Sequence, residues 1–544
     1  MYYNNRRPLG LRGGQPLNPP RSSRTFLHRK HARSIGISAS LIFGATLISR
    51  VAGFVREIAM ALMFGTSLKT DAWLIASVIP NLLFSTINGA ISTTIVPVLT
   101  EGERTHSPRS RAHFIQELFT VIILLSLTLV LLGELFAPLL IHLIAPGFTD
   151  VPKEYHLALV MTRWMIPTIL FWGLAGLSIG VLQSREDYVP PAMSPVVINV
   201  VRITSIFVLG SIWGIVGVSI GFSLAVLAQL ALLLPALADT GYHLKFRWRF
   251  GHPLLRRIGR IAAPFFLASS VGTVGQIVDR ILASYLVIGS IAALNYSFVL
   301  VQVPISLLIS SLATPIYTRL AQHHSRHDNE TFTALAMRGF RLVLLIIVPM
   351  TAWFLLLRVP ILRLIYQHGA FSGRSTALTQ GTLLYFAIGL PGFALSFYMQ
   401  RLFFATQDTR HPARFSIITI LINIAGDLIL VHPMKAEGLA LATGGAQWVN
   451  AFMLTRQALG PKQRESVKFK RTMLQLGLAG GCLTAVTWAM RMFLDLSAWS
   501  GIIPLLFGMA LVVGVSGLVY AVILAITHFP EMDQLRLRIG RMSR

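Results

Sequence analysis

The stretch SRVAGFVRE, Ser49 to Glu57, places Arg50, Arg56 and Glu57 inside a run otherwise apolar enough to lie in lipid. A charge at bilayer depth is expensive, so such residues face a partner or a wet cavity and mark a functional site by default. At about 100° per residue, Arg50, Gly53, Arg56, Glu57 and Ser49 fall within one arc of about 120°, with Val51, Phe54 and Val55 outside it. Guanidinium is a planar fork of donors that bonds phosphate oxygens bidentately, so one reading of this face is a phosphate cradle. The other reading is structural, an Arg–Glu pair with Arg56 snorkelling to the interface.

A second set of residues is rich in oxygen donors. GQIVDRILAS carries Asp279 and Arg280, neighbours that point about 100° apart on a helix. LINIAGDLIL carries Asn423 and Asp427, four apart and therefore on one face. GLALATGG adds the Thr443 hydroxyl, with Gly438, Gly444 and Gly445 loosening the backbone. Hard oxygen donors suit a small cation such as Na⁺, or a proton on a carboxylate. The alternative is an Asp279–Arg280 ion pair beside an unrelated Asn–Asp hydrogen bond, because spacing alone does not bring these helices together. His323, His324 and His327 read as solvated loop residues rather than metal ligands. The single cysteine, Cys482, excludes a disulfide framework and a cysteine metal site.

The elements that position these residues are membrane helices. Of 544 residues, 54% are hydrophobic and 12% charged, against roughly 25% charged in soluble domains; the mean hydropathy is +0.66. The fold class is all-α and polytopic. Apolar runs of about 20 residues mark fourteen spans, at 36–64, 71–99, 113–145, 156–183, 191–209, 212–238, 258–287, 290–318, 335–366, 376–406, 413–431, 436–458, 471–492 and 499–527. No loop is long enough for a soluble catalytic domain, which argues against a membrane glycosyltransferase or protease.

The net charge of +26 sits in short loops between spans, the pattern of topology determinants rather than of a nucleic-acid surface. One set of loops is basic: Arg104, Arg109 and Arg111; Lys245 to Arg260; Arg319 and Arg326; Arg410 and Arg414; Lys462 to Arg471. The alternate loops carry Lys69, Lys153, Arg374, Lys435 and Arg491, at most one each. The positive-inside rule makes the first set and both termini cytoplasmic, as an even span count requires. Residues 1–34 hold eight Lys/Arg and no acid. They read as a disordered basic tail, able to lie against anionic lipid; a transit peptide has similar composition. The following apolar segment is too long for a cleavable signal.

An internal repeat is visible. LIHLIAPGF aligns with LRLIYQHGAF, placing Gly147 and Gly369 222 positions apart. QSREDYVPPA aligns with ATQDTRHPAR, with Asp187/Asp408 and Pro191/Pro412 each 221 apart. The landmarks divide the chain into two six-helix lobes, 35–240 and 241–460, two further helices in 461–528 and a basic tail, 529–544. Such repeats mark transporters with the substrate site between the halves. Prolines within the spans, among them Pro80, Pro167, Pro304 and Pro391, are expected to kink them.

SRVAGFVREIAMALMFGTSLKTDAWLIASVIPNLL, followed by VPVLTE, resembles the opening of the lipid II flippase MurJ family (the MviN family). APGF, PAMSPVVIN, VDRILAS, QHGAF and FFATQDTRHPAR continue the resemblance in order over roughly 36–460. It implies a bacterial source, the multidrug/oligosaccharidyl-lipid/polysaccharide exporter fold, a central cavity, and two terminal helices forming a groove for a lipid tail. It implies lipid II, the undecaprenyl-diphosphate-linked peptidoglycan precursor, as cargo, with membrane lipids and the cell-wall synthesis machinery as partners. Arg50, Arg56 and Asp71 match the family's cavity positions, with Glu57 beside them. Asp279, Asn423, Asp427, Thr443 and the Leu439 carbonyl match a sodium site, so Na⁺ or H⁺ is the implied coupling ion and no other cofactor is expected. The chain departs from the pattern twice. Phe84 and Ser85 follow PNLL where the family has arginine, and Val299 replaces an arginine before Pro304. Arg202 and Arg280 are candidates to compensate.

The expected function is therefore a flippase in the bacterial cytoplasmic membrane. Its rivals are a flippase for another polyprenyl-linked oligosaccharide, a drug/cation antiporter, and a non-transporting scaffold. A drug antiporter would prefer an acidic or aromatic cavity; a scaffold would tolerate alanine at Arg50 and Asp279.

Overall fold

The computed structural model describes residues 21–90, 94–105, 107–242, 245–248, 252–459, 467–495, 499 and 501–533. Residues 1–20 and 534–544 of the two basic tails lie outside that description. So do Arg249, Lys462 and Arg464 of the basic loops, and the side chains of Ser85, Arg104 and Lys468.

The described residues form helices and no strand: α1 Arg21–Phe64, α2 Leu68–Ala76, α3 Val78–Ala90, α4 Val96–Thr105, α5 Pro108–Ile144, α6 Pro152–Met165, α7 Thr168–Ser184, α8 Val189–Asp239, α9 Pro253–Ala283, α10 Ser290–Pro304, α11 Ser310–Ser325, α12 Asn329–Leu356, α13 Arg358–Ile365, α14 Gly373–Ala405, α15 Arg410–Ala458, α16 Val467–Leu494 and α17 Ile502–Ile526. Residues 21–34, expected within an unstructured tail, instead form the first turns of α1. Extending a helix that an apolar span has already nucleated costs little.

Nine continuous helical stretches among the described residues are long and apolar enough to cross a membrane. Two of these are hairpins. α8 reverses at Gly214 (φ 61°) and α15 at Lys435 (φ 54°). Counting each as two gives eleven crossings; α1, the α2–α4 segment and α9 supply the helices at the other three expected spans, making fourteen. The prolines act as expected in two places. Pro167 separates α6 from α7, and Pro304 begins a π-helical turn, Ile305–Ile309.

Helix starts follow from local chemistry. Ser107 caps α5 ahead of Pro108, and the Asp328 carboxylate accepts the Thr331 N–H at 3.1 Å to cap α12. At the turn before α15, the His411 ring lies 2.5 Å from Asp408. That contact and the N–H groups of His411 and Arg410 hold the Asp408 carboxyl below its ordinary range.

The repeat recurs atom by atom. The hairpin apices Gly214 and Lys435 are 221 apart. Glu186 (φ 63°) and Gln407 (φ 58°), also 221 apart, sit in matching turns closed by Asp187 N to Leu182 O at 3.0 Å and Asp408 N to Phe403 O at 2.9 Å. Inside the hairpins, a Cβ on Gly217 would lie 2.1 Å from Leu209 O, and one on Gly438 would lie 2.3 Å from Leu430 O. Small residues let the arms touch, and close approach is what drives helix association in lipid.

The lobes meet at the end carrying the charge-poor loops, through two contacts related by the same repeat. Gly147 of the first lobe packs on the end of α9, its N–H donating to Ser284 Oγ at 3.1 Å. Gly369 of the second packs on the end of α1, where Ala370 N–H donates to Leu62 O at 2.8 Å. Beside them Thr66 Oγ1 lies 2.8 Å from Ser375 Oγ, again across the lobes. The last helix, α17, is bonded to α12 through Trp353 Nε1 to Ser516 Oγ, 3.0 Å, and Tyr520 OH to Leu345 O, 3.2 Å.

Candidate functional site

A cavity of about 650 Å³ lies at the lobe interface, and three guanidinium groups, Arg56, Arg202 and Arg280, line it with one carboxylate, Glu57. Arg56 is fixed rather than snorkelling. Its Nη2 meets Glu57 Oε1 at 2.6 Å, and its Nη1 donates to Asn199 Oδ1 at 3.2 Å. Asn199 is in turn anchored by donating to Ser49 O at 3.1 Å and Pro195 O at 3.0 Å. Arg280, from α9, donates to Ile291 O at 3.4 Å and Asn295 Oδ1 at 3.5 Å.

Arg202 is held differently. Its guanidinium carbon lies 3.8 Å from the centre of the Phe222 ring, on the facing arm of α8. A cation–π contact contributes about 0.5–2 kcal/mol, while an arginine at mid-membrane costs at least about 2.5–3.5 kcal/mol. The ring alone does not settle that charge. Phe84 and Val299, the positions at which the resemblance implies arginine, line this same cavity as apolar wall.

Two of the expected residues sit elsewhere. Arg50, six residues and about 9 Å along the helix from Arg56, crosses the lobe interface to hydrogen-bond Ser306 O in the π-helical turn and Ser310 Oγ. Asp71 is 2% exposed, and its carboxylate accepts the N–H groups of Gly289 at 2.6 Å and Ala292 at 2.7 Å. It thereby caps α10 from the opposite lobe, where a negative charge complements the helix dipole.

The oxygen-donor cluster assembles in the second lobe. Asp279, Asn423, Leu439 and Thr443 line a cavity of about 350 Å³. Asp427 is fully buried behind Asn423, which donates to Asp427 Oδ2 at 2.9 Å and to Thr443 Oγ1 at 3.4 Å. Thr443 donates to the Leu439 carbonyl at 2.9 Å. The Asp279 and Asp427 carboxyls are near neighbours in this cluster. One oxygen of each, Oδ1, is buried with no hydrogen-bond partner among the described residues. Facing carboxylates with orphaned oxygens, plus a hydroxyl and a carbonyl, fit a bound Na⁺ or a shared proton.

Arg280, Asn295 and Gln276 line both cavities. A polar chain joins them: Asn295 Nδ2 donates to Glu57 Oε2 at 3.3 Å, and Glu57 holds Arg56. Asn199 and Asn295 were not singled out from the sequence. An uncharged amide in an apolar span is a weaker signal than an ion, though the rule that intramembrane polar groups need partners points to both.

Among known proteins, the family model described as "Lipid II flippase MurJ" matches residues 60–508. The "Probable lipid II flippase MurJ" of Buchnera aphidicola subsp. Acyrthosiphon pisum is 29% identical, matching 80% of this chain and 85% of its own. That of Rhizobium meliloti is 31% identical over 76% and 78%. A solved structure, "Lipid II flippase MurJ, inward closed conformation", superposes with a TM-score of 0.76 at 25% identity, covering 89% of this chain and 98% of that one. An inward-facing multidrug resistance MATE family transporter of the MOP superfamily, at 11% identity and a TM-score of 0.63, shares the fold alone. With the family model spanning most of its length and a 31% identical relative matched over 76% of it, the chain belongs to the lipid II flippase MurJ family.

Proposed function

We propose that the chain carries lipid II, an undecaprenyl-diphosphate-linked peptidoglycan precursor, from the inner to the outer leaflet of the bacterial cytoplasmic membrane. The observation that carries this reading is the interface cavity, where three arginines face a single carboxylate. An excess of guanidinium suits a diphosphate, whose oxygens accept bidentate hydrogen bonds, and repels a cationic drug. The lipid tail stays in the bilayer, against the exposed apolar faces of α16 and α17 such as Leu478, Phe507 and Leu518.

The charge-poor loop end, outward-facing by the positive-inside rule, is the end closed by the Gly147, Gly369 and Asp71 contacts. Exchange between leaflets requires those contacts to part while the other end seals. Na⁺ or H⁺ at Asp279, Asn423, Asp427, Leu439 and Thr443 biases this exchange, because a ligand moves an equilibrium by binding its two states unequally. Arg280 lines both cavities: neutralising the carboxylates beside it removes negative charge that would oppose an arriving phosphate. No covalent bond is made or broken, and the partner this reading implies is the wall-synthesis machinery that consumes the product.

Complementation tests the reading. In bacteria depleted of their own lipid II flippase, wild type restores growth and Arg56→Ala does not, at equal membrane abundance. Failure of well-expressed wild type removes the lipid II assignment.

A further inference from the structure

We propose that Arg202 is a direct ligand of the diphosphate in the interface cavity, the one guanidinium there whose donors are all uncommitted. This deepens the flippase reading and rests on it. Arg202 lies three residues after Asn199 on α8, so both project from one face, and Asn199 is the residue that positions Arg56. Arg56 commits donors to Glu57 and Asn199, and Arg280 commits donors to Ile291 O and Asn295. Arg202 makes no hydrogen bond or ion pair among the described residues, and its buried Nε has no partner.

The Phe222 ring fixes the plane of the Arg202 guanidinium from one side and supplies no acceptor. A charge desolvated in this way is stabilised by an anion arriving in the cavity. The apolar wall at Phe84 and Val299 places no competing cation at those positions. A diphosphate offers two phosphates. Arg56, already tethered, serves one, and Arg202 takes the other with its free fork. The shared chemistry is a diphosphate, which reaches the cavity either on a polyprenyl lipid or as a soluble ion; the lipid-linked form is the one proposed.

The test titrates the purified full-length chain in detergent with undecaprenyl diphosphate, undecaprenyl monophosphate and inorganic pyrophosphate. Arg202→Gln is expected to weaken undecaprenyl diphosphate at least about tenfold, the loss of a charged hydrogen bond. The monophosphate should change less than about threefold because Arg56 still holds it, and Arg202→Lys should recover part of the loss. If Arg202→Gln does not fold, Phe222→Leu keeps the charge but frees the fork, and should weaken the diphosphate about threefold or more. Wild-type affinity in Arg202→Gln, alongside a loss in Arg56→Gln, overturns the role of Arg202 and leaves the flippase reading standing. An equal loss for mono- and diphosphate overturns the two-phosphate contact. A loss confined to inorganic pyrophosphate overturns the lipid-linked ligand. A wild type that binds none of the three overturns both readings.

Discussion

The amide of Asn295 donates to Glu57 Oε2 at 3.3 Å, joining α10 in one lobe to α1 in the other across 238 residues of chain. On one side Glu57 holds Arg56 at 2.6 Å. On the other, Asn295 Oδ1 accepts from Arg280, the neighbour of Asp279. Hydrogen bonds thus run from Arg56 through Glu57 and Asn295 to Arg280, which adjoins Asp279 of the oxygen-donor cluster in sequence and lines both cavities.

Asn295→Leu keeps the size of that residue and removes both hydrogen bonds. Binding of undecaprenyl diphosphate should change less than about threefold, because Arg56 keeps Glu57 and Asn199 as partners. The stimulation of flipping by an ion gradient should fall about tenfold, read as lipid translocation in proteoliposomes with and without the gradient.

Removing the proposed ion site should act on the ion itself. Asp427→Asn leaves Asn423 an amide to face but takes away one of two adjacent carboxylates. Binding of ²²Na⁺, or proton-driven flipping if the ion is H⁺, should drop at least about tenfold. Thr443→Ala, which loses one neutral donor oxygen, should cost less than Asp427→Asn. Equal ion dependence in wild type and Asp427→Asn would remove the cation site.

The Thr66 and Ser375 hydroxyls, 2.8 Å apart across the lobes, offer a reversible lock. In a Cys482→Ala background, Thr66→Cys with Ser375→Cys places two sulfurs where side-chain oxygens already touch, a separation that a disulfide can span. Oxidation should stop flipping nearly completely, and reductant should restore it. Flipping that continues in fully cross-linked protein would show that this end need not open.

Gly147→Ala and Gly369→Ala should push the same end apart. A Cβ on Gly147 would lie 2.2 Å from Ser284 O, and one on Gly369, at φ 57°, would lie 2.4 Å from Leu62 O; both obstacles are backbone. Since neither carbonyl can rotate away, each variant should lower the yield of the Thr66–Ser375 cross-link several-fold, and by similar factors because the two contacts are repeat-related. Asp71→Asn, which removes the charge capping α10, should lower it too.

How much of this was legible in the sequence differs by feature. The helices were, because lipid demands long apolar runs. So was the repeat, since Asp187/Asp408 and Pro191/Pro412 flank turns whose left-handed residues, Glu186 and Gln407, keep the same offset of 221. The helical wheel put Arg50 and Arg56 in one arc, but a wheel has no axial coordinate: Arg50 reaches Ser306 and Ser310 while Arg56 stays with Glu57. The cap that Asp71 places on α10 joins residues about 220 apart, and nothing local in LKTDAWLIA announces it. Arg202 was legible as a candidate to compensate for the missing arginines, but its seat on Phe222 depends on the α8 hairpin bringing the second arm beneath it.

The most direct test of the central claim is the fraction of lipid II at the outer face of cells depleted of their own flippase, measured by an externally added enzyme that cleaves it. Wild type should restore outer-face lipid II, while Arg56→Ala, present at equal abundance, should leave it at the depleted level. Outer-face lipid II that stays low with wild type, or that Arg56→Ala restores in full, would contradict passage of the diphosphate through the arginine-lined cavity.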